Sequence, residues 1–218
     1  MKKYENYISI GSNCFTSMLL NRLNLRKEAY PLDWVISTPD WVLKYFKNNF
    51  KNYYLPDNKS NTNYLGQEFV WFQNQKFSEA NEHYKENNTD DDKLSIYEDN
   101  KLKFDRRIER ILKLLESNES ILFVYTTEYR ITDSFPSKMS KILKENEEEN
   151  EKKLIELKEY FTDKYPEKKI DILVIYLNKI SESKIEKKNN IYLAYEKIKR
   201  CNDNKQRHIL YKELEKFF

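Results

Sequence analysis

One cysteine in this chain stands where a thiol could be made reactive. The stretch Tyr7-Ile8-Ser9-Ile10-Gly11-Ser12-Asn13-Cys14-Phe15-Thr16-Ser17 joins a β-type run (Tyr7, Ile8, Ile10) to a helix-type run (Met18, Leu19, Leu20, Leu23) through one of two glycines in the protein. The pattern predicts a strand, a tight turn and a helix whose first turn holds Cys14, with Ser12 or Asn13 as its cap. A sulfur at that place faces free backbone N–H groups and the positive end of the helix dipole, which favours the nucleophilic thiolate. The competing reading is a small buried hydrophobe, the usual lot of a cysteine in a turn. A second group with chemical potential is Asp33, set among Leu32, Trp34 and Val35 in Tyr30-Pro31-Leu32-Asp33-Trp34-Val35-Ile36, a segment that reads as a strand or a buried loop. An acid in such company must pair with a donor or shift its pKa. It either accepts backbone N–H bonds in a turn or takes a catalytic part.

The elements that must position these groups follow from hydrophobic period. Thr38-Pro39 opens a helix through Trp41, Val42, Tyr45 and Phe46, with Thr38 as cap and Pro39 at the first helical position. Residues 51–63 read as a loop, 64–72 as a strand or hairpin, and 77–88 as a weak helix carrying His83. The run Asn87 to Asp92 breaks that helix, and Asp90-Asp91-Asp92 reads as a solvated loop, with a divalent-cation site as the rarer alternative. A stronger helix is predicted over Ile96–Ser117, with Leu102, Phe104, Ile108, Ile111, Leu112 and Leu115 on one face. Arg106, Arg107, Arg110 and Lys113 form a basic side that could bind an acidic or phosphate-bearing ligand, or simply pair with Asp105 and Glu109.

Ile121–Tyr125 and Ile170–Tyr176 read as buried strands, and the Glu/Lys-rich region 137–165, closed by Pro166, as the helix between them. Strand, crossover helix, strand implies a parallel pair with a right-handed connection. Asn190–Tyr195 adds a further strand and Gln206–Phe218 a last helix. The expected architecture is α/β: a single domain over 1–218 with a mostly parallel, Rossmann-like three-layer sheet flanked by helices, and Cys14 and Asp33 at or just beyond the carboxyl ends of strands, where open α/β sheets take their ligands.

Composition narrows the classes. The 39 basic and 36 acidic residues give a net charge of +3, and no basic tract interleaves with aromatics, so nucleic acid is not the expected partner. Abundant Asn, Lys, Ile and Tyr fit A/T-rich coding, as in certain viruses or low-G+C bacteria. Gly11 and Gly66, the only glycines, cannot write a P-loop or a dinucleotide fingerprint. His83, His208, Cys14 and Cys201 make no zinc spacing. No metal and no cofactor is therefore expected. The start Met1-Lys2-Lys3-Tyr4-Glu5 runs into a charged strand, and no apolar run is long enough for a membrane span, so the expected setting is intracellular, cytoplasmic and reducing.

Ile10-Gly11-Ser12-Asn13-Cys14, then Leu25-Arg26 and Tyr30-Pro31-Leu32-Asp33-Trp34, resemble the domain-of-unknown-function 1796 family (DUF1796), whose members are described as papain-like cysteine peptidases. A looser likeness runs on through Phe104–Arg110 and Ile121–Tyr125. The resemblance implies a cysteine-dependent hydrolase with Cys14 as nucleophile, a histidine base and an orienting acid. It also implies, as an alternative fold, a papain-like α+β domain with an antiparallel, barrel-like sheet. The family pattern sets a histidine after an aromatic strand, but Phe69-Val70-Trp71-Phe72-Gln73-Asn74 carries none, leaving His83 as the candidate base and Asp33 as the orienter. Ser12, Asn13, Trp34 and Arg107 are the candidate binding residues, for a peptide or acyl substrate. Two other functions stay open: a glycan-modifying α/β domain such as a glycosyltransferase, with Asp90–Asp92 and Arg106, Arg107 and Arg110 seating a metal and a diphosphate, and a binding module that has lost its base.

Overall fold

The computed structural model describes residues 3–11, 14–33, 37–51, 53, 90–127, 147–177, 184–196 and 214–218. Its frame is a five-stranded sheet of β1 (Asn6–Ser9), β2 (Ile121–Thr126), β3 (Ile170–Leu177), β4 (Lys184–Lys188) and β5 (Ile191–Glu196), in the order β1-β2-β3-β5-β4. The first four positions in that order are parallel, with Asn6 opposite Ile121, Ile121 opposite Ile170 and Leu173 opposite Tyr192; β4 runs antiparallel to β5. Four helices pack with it: α1 (Cys14–Arg22), α2 (Pro39–Lys47), α3 (Asp90–Glu116) and α4 (Glu147–Lys164). The fold is thus α/β, as the strand-helix-strand periodicity requires. The antiparallel, barrel-like α+β alternative is overturned, because β2 and β3 are joined in parallel register and parallel strands need a crossover.

Each parallel step moves the chain in the same direction across the sheet. Right-handed crossovers taken one way place their helices on one face. That face carries the larger core, in which Val42 and Phe46 of α2, Phe104, Ile111 and Leu115 of α3, and Leu154, Leu157 and Phe161 of α4 meet Ile8, Phe123, Ile172 and Val174. The opposite face is covered by α1, through Phe15, Leu19 and Leu20, and by Leu214 and Phe217 near the C-terminus, against Tyr7, Leu122, Val124, Leu173 and Ile175. With both faces covered, alternate residues of β2 and β3 bury to opposite sides, so these strands are apolar along almost their whole length. Among the described residues, no helix is long and apolar enough to cross a membrane.

Several expectations are corrected. Asp90–Asp92 is not a loop: it lies within α3. Leu102 does not join the buried face of α3 but is 61% exposed, while Leu114 is buried instead. Thr38 occupies the N-cap of α2 with Pro39 following, yet its side chain makes no capping bond. Strand β4 was not legible, since Lys184-Ile185-Glu186-Lys187-Lys188 holds a single apolar residue; such lysine-rich strands guard the open edge of a sheet. Its signal is the turn, because Asn189 and Asn190 take φ of 47° and 63°, as a two-residue hairpin loop with both central residues left-handed demands. The predicted strand or hairpin at 64–72, the helix at 77–88, the first part of the 137–165 helix and residues 206–213 of the last helix lie outside the described residues, as do Cys201 and His208.

At the centre of the larger core, Phe123 of β2 stacks on Phe161 of α4 at 5.0 Å between ring centroids, and Phe46 of α2 meets both edge-on at 5.3 and 5.0 Å. Truncating the shared ring, Phe123→Ala, is expected to cost about 3–5 kcal/mol, read as a lower urea midpoint at unchanged m-value.

Candidate functional site

The chain leaves β1 through Gly11, at φ 120°, a conformation that side chains avoid. A Cβ there would overlap Ser37 Oγ and stand 3.0 Å from the Ser37 carbonyl oxygen and 3.1 Å from the Tyr125 ring. Glycine is therefore required on two counts, backbone and space. The Gly11 carbonyl accepts from the Thr126 N–H at 3.2 Å and from the Thr16 hydroxyl. Thr16 Oγ1 also lies 2.7 Å from Thr126 Oγ1, and Ser37 Oγ donates to the Ile10 carbonyl at 3.0 Å. These bonds set the opening of α1 on the carboxyl ends of β1 and β2.

Cys14 is the first residue of α1, as its sequence position suggested. The N–H groups that open a helix have no partner within it, so the first turn is a ready set of donors. The Cys14 side chain lies outside what is described, as do Ser12, Asn13, Trp34 and His83 in full. Of the candidate residues, the described structure shows the Cys14 backbone and the side chains of Asp33 and Arg107.

Asp33 is 1% exposed and heavily bonded. Its Oδ1 accepts from Ser17 Oγ at 3.0 Å; its Oδ2 accepts from Arg26 Nε at 2.9 Å and from the Tyr30 N–H at 2.9 Å, with Arg26 Nη2 a further 2.9 Å away. The turn closes with the Asp33 N–H on the Tyr30 carbonyl. The backbone-bonded reading of this acid is thus present, with a side-chain ion pair added to it. Ser17 follows Cys14 by one helical turn, so the carboxylate is tied to the helix beside its opening. Ser17 and Arg26 are residues that the sequence reading did not single out for function, although Arg26 stood in the Leu25-Arg26 motif.

Arg107 lies on α3. Its guanidinium stands over the Phe104 ring at 5.3 Å and is partly buried. Burial lowers its pKa, Asp33 opposes that, and Arg26 reinforces it. Tyr53 closes the group from below, donating its hydroxyl to the Pro31 carbonyl at 2.7 Å. Other basic residues of α3 are paired: Lys101 with Asp105 and Lys113 with Glu109 along the helix, and Arg110 with Glu28 at 3.4 Å and with the Ala29 carbonyl. Among the described residues, no three potential metal ligands come together.

Removing a buried, paired carboxylate strands its partner. Asp33→Ala is expected to destabilise by about 3–5 kcal/mol, and combining it with Arg26→Met to cost less than the sum of the two single changes in denaturant melts. A second test uses Tyr30, whose hydroxyl pKa is pushed up from the ordinary 10.0 to about 12 by burial, with Glu28 adding to the rise. A folded-state pKa above the unfolded value contributes stability that is complete below pH 10 and lost as pH rises toward 12. Tyr30→Phe should therefore make the fall of stability between pH 10 and 12 shallower.

Neither a curated protein nor a solved structure matches the chain. The family model described as "Putative papain-like cysteine peptidase (DUF1796)" matches residues 5–179. That span takes in β1, the Gly11 turn, the Cys14 helix, the Asp33 turn, Arg107 and strands β2 and β3. The chain belongs to this family.

Proposed function

We propose that the protein is a cysteine-dependent hydrolase acting on a peptide or acyl substrate, with Cys14 as nucleophile. The observation that carries this reading is that α1 begins at Cys14, directly beyond the carboxyl end of β1, inside a family described as cysteine peptidases. In this reading the dipole and N–H groups of the first turn of α1 lower the thiol pKa and then receive the oxyanion. The thiolate attacks the carbonyl carbon, the tetrahedral intermediate collapses to a thioester, and the leaving amine takes a proton from the base. Water, deprotonated by the same base, then releases the acid and restores the thiol. His83 is the proposed base. We assign Asp33 the positioning of this turn, through Ser17 and Arg26.

The test is the pH dependence of Cys14 alkylation by iodoacetamide in Cys201→Ser protein. An apparent pKa well below the free-thiol value of about 8.5 is expected, rising toward it in His83→Ala. An ordinary pKa, or a thiol that reacts only on unfolding, would overturn the assignment.

A further inference from the structure

Residues 11–16 carry the chain from β1 into α1 with Cys14 between their two ends, and both ends are fastened to one residue of β2. At the first end the Thr126 N–H donates to the Gly11 carbonyl at 3.2 Å; at the second, the Thr126 and Thr16 hydroxyl oxygens stand 2.7 Å apart. The Thr16 hydroxyl donates to the Gly11 carbonyl and so joins the two ends to each other. A hydroxyl has one proton to give, and a carbonyl can only accept. The proton between the two threonines is therefore that of Thr126, and the bonds run from Thr126 through Thr16 to Gly11. Thr126 is itself firmly placed: it lies opposite Ile175 of β3, and the next N–H, that of Thr127, donates to the Ile175 carbonyl at 2.9 Å.

Both threonines are fully buried. A buried pair of hydroxyls adds little net stability over an apolar pair of the same shape, because the bonds made inside replace bonds to water. What the pair adds is direction: a hydrogen bond fixes distance and angle, whereas apolar surfaces slide. The first turn of α1 favours a thiolate and an oxyanion only while its N–H groups keep their aim, and a misplacement of about 1 Å is enough to cost ~10²-fold in rate. We infer that Thr126 is a positioning residue for Cys14, its N–H and its hydroxyl together holding the segment that carries the cysteine. The inference rests on the hydrolase reading in calling Cys14 a nucleophile.

The test is the pH profile of Cys14 alkylation by iodoacetamide in full-length Cys201→Ser protein, the parent, set beside the Tm of each variant. Thr126→Val keeps the shape and the N–H bond and removes the hydroxyl. It should slow alkylation at pH 7 several-fold by moving the apparent pKa toward the free-thiol value of about 8.5, with rates meeting the parent's at high pH, where every thiol is ionised. Thr126→Ser should restore the parent profile. In Thr16→Val/Thr126→Val the Gly11 carbonyl keeps its Thr126 N–H, so the Tm should stay near the parent's while the pKa rises at least as far as in Thr126→Val. A profile unchanged in Thr126→Val, with or without a loss of Tm, would overturn the inference. So would a shifted profile that Thr126→Ser leaves unrestored, or the failure of both valine proteins to fold, since the hydroxyls would then serve stability alone. An ordinary parent pKa, with a profile that still moves in Thr126→Val and returns in Thr126→Ser, would remove the hydrolase and keep Thr126; an activated parent thiol indifferent to Thr126→Val would do the reverse.

Discussion

The buried carboxylate of Asp33 is the constraint on which the region around the Cys14 helix depends. A charge taken out of water is tolerated only when its lone pairs are met, and the donors that meet this one come from three places: Ser17 on α1, Arg26 just beyond that helix, and the backbone of Tyr30. Satisfying one acid therefore fixes the path of the chain between α1 and α2. It also gives the short helix α1 a polar anchor on the side where apolar packing alone would leave it free to slide. The close approach at Gly11 does the same at the helix opening, where Ser37 sits in the space that a Cβ would fill.

The sheet explains why a helix opening lies at that spot. Crossovers taken in one direction stack α2, α3 and α4 on one face and leave the other face bare. Helix α1 covers that second face, starting at the carboxyl end of β1 and packing Phe15, Leu19 and Leu20 on β2 and β3. Its N-terminus is thus held at the carboxyl end of the sheet, where α/β folds present ligand-binding groups.

Family membership and fold meet here in an instructive way. The family description points to papain, yet four parallel strands with crossover helices are not an antiparallel barrel. Thiol chemistry needs a nucleophile at a helix N-terminus with a base in reach, and that arrangement recurs on unrelated scaffolds. In this chain a strand is followed by a helix that begins at Cys14, and a fold name does not follow from the family description.

The sequence by itself determined the parts governed by local rules. Short continuous apolar runs marked β2 and β3, glycine followed by polar caps marked the start of α1 around Cys14, and strand-helix-strand order marked a parallel sheet. Asp33 was legible as an acid that had to be paired, because apolar neighbours leave no other solution. Only the tertiary structure decided who pairs with it: Ser17, Arg26 and Tyr30 lie 16, 7 and 3 positions away, and no spacing rule selects them. Strand β4 escaped for a related reason, since an edge strand is defined by its neighbour β5 and not by its own lysine-rich sequence. Arg107 looked like one member of a solvated basic face. Its separation from Arg106 and Lys113 came from burial, because the cost of a charge depends on the groups that folding brings around it.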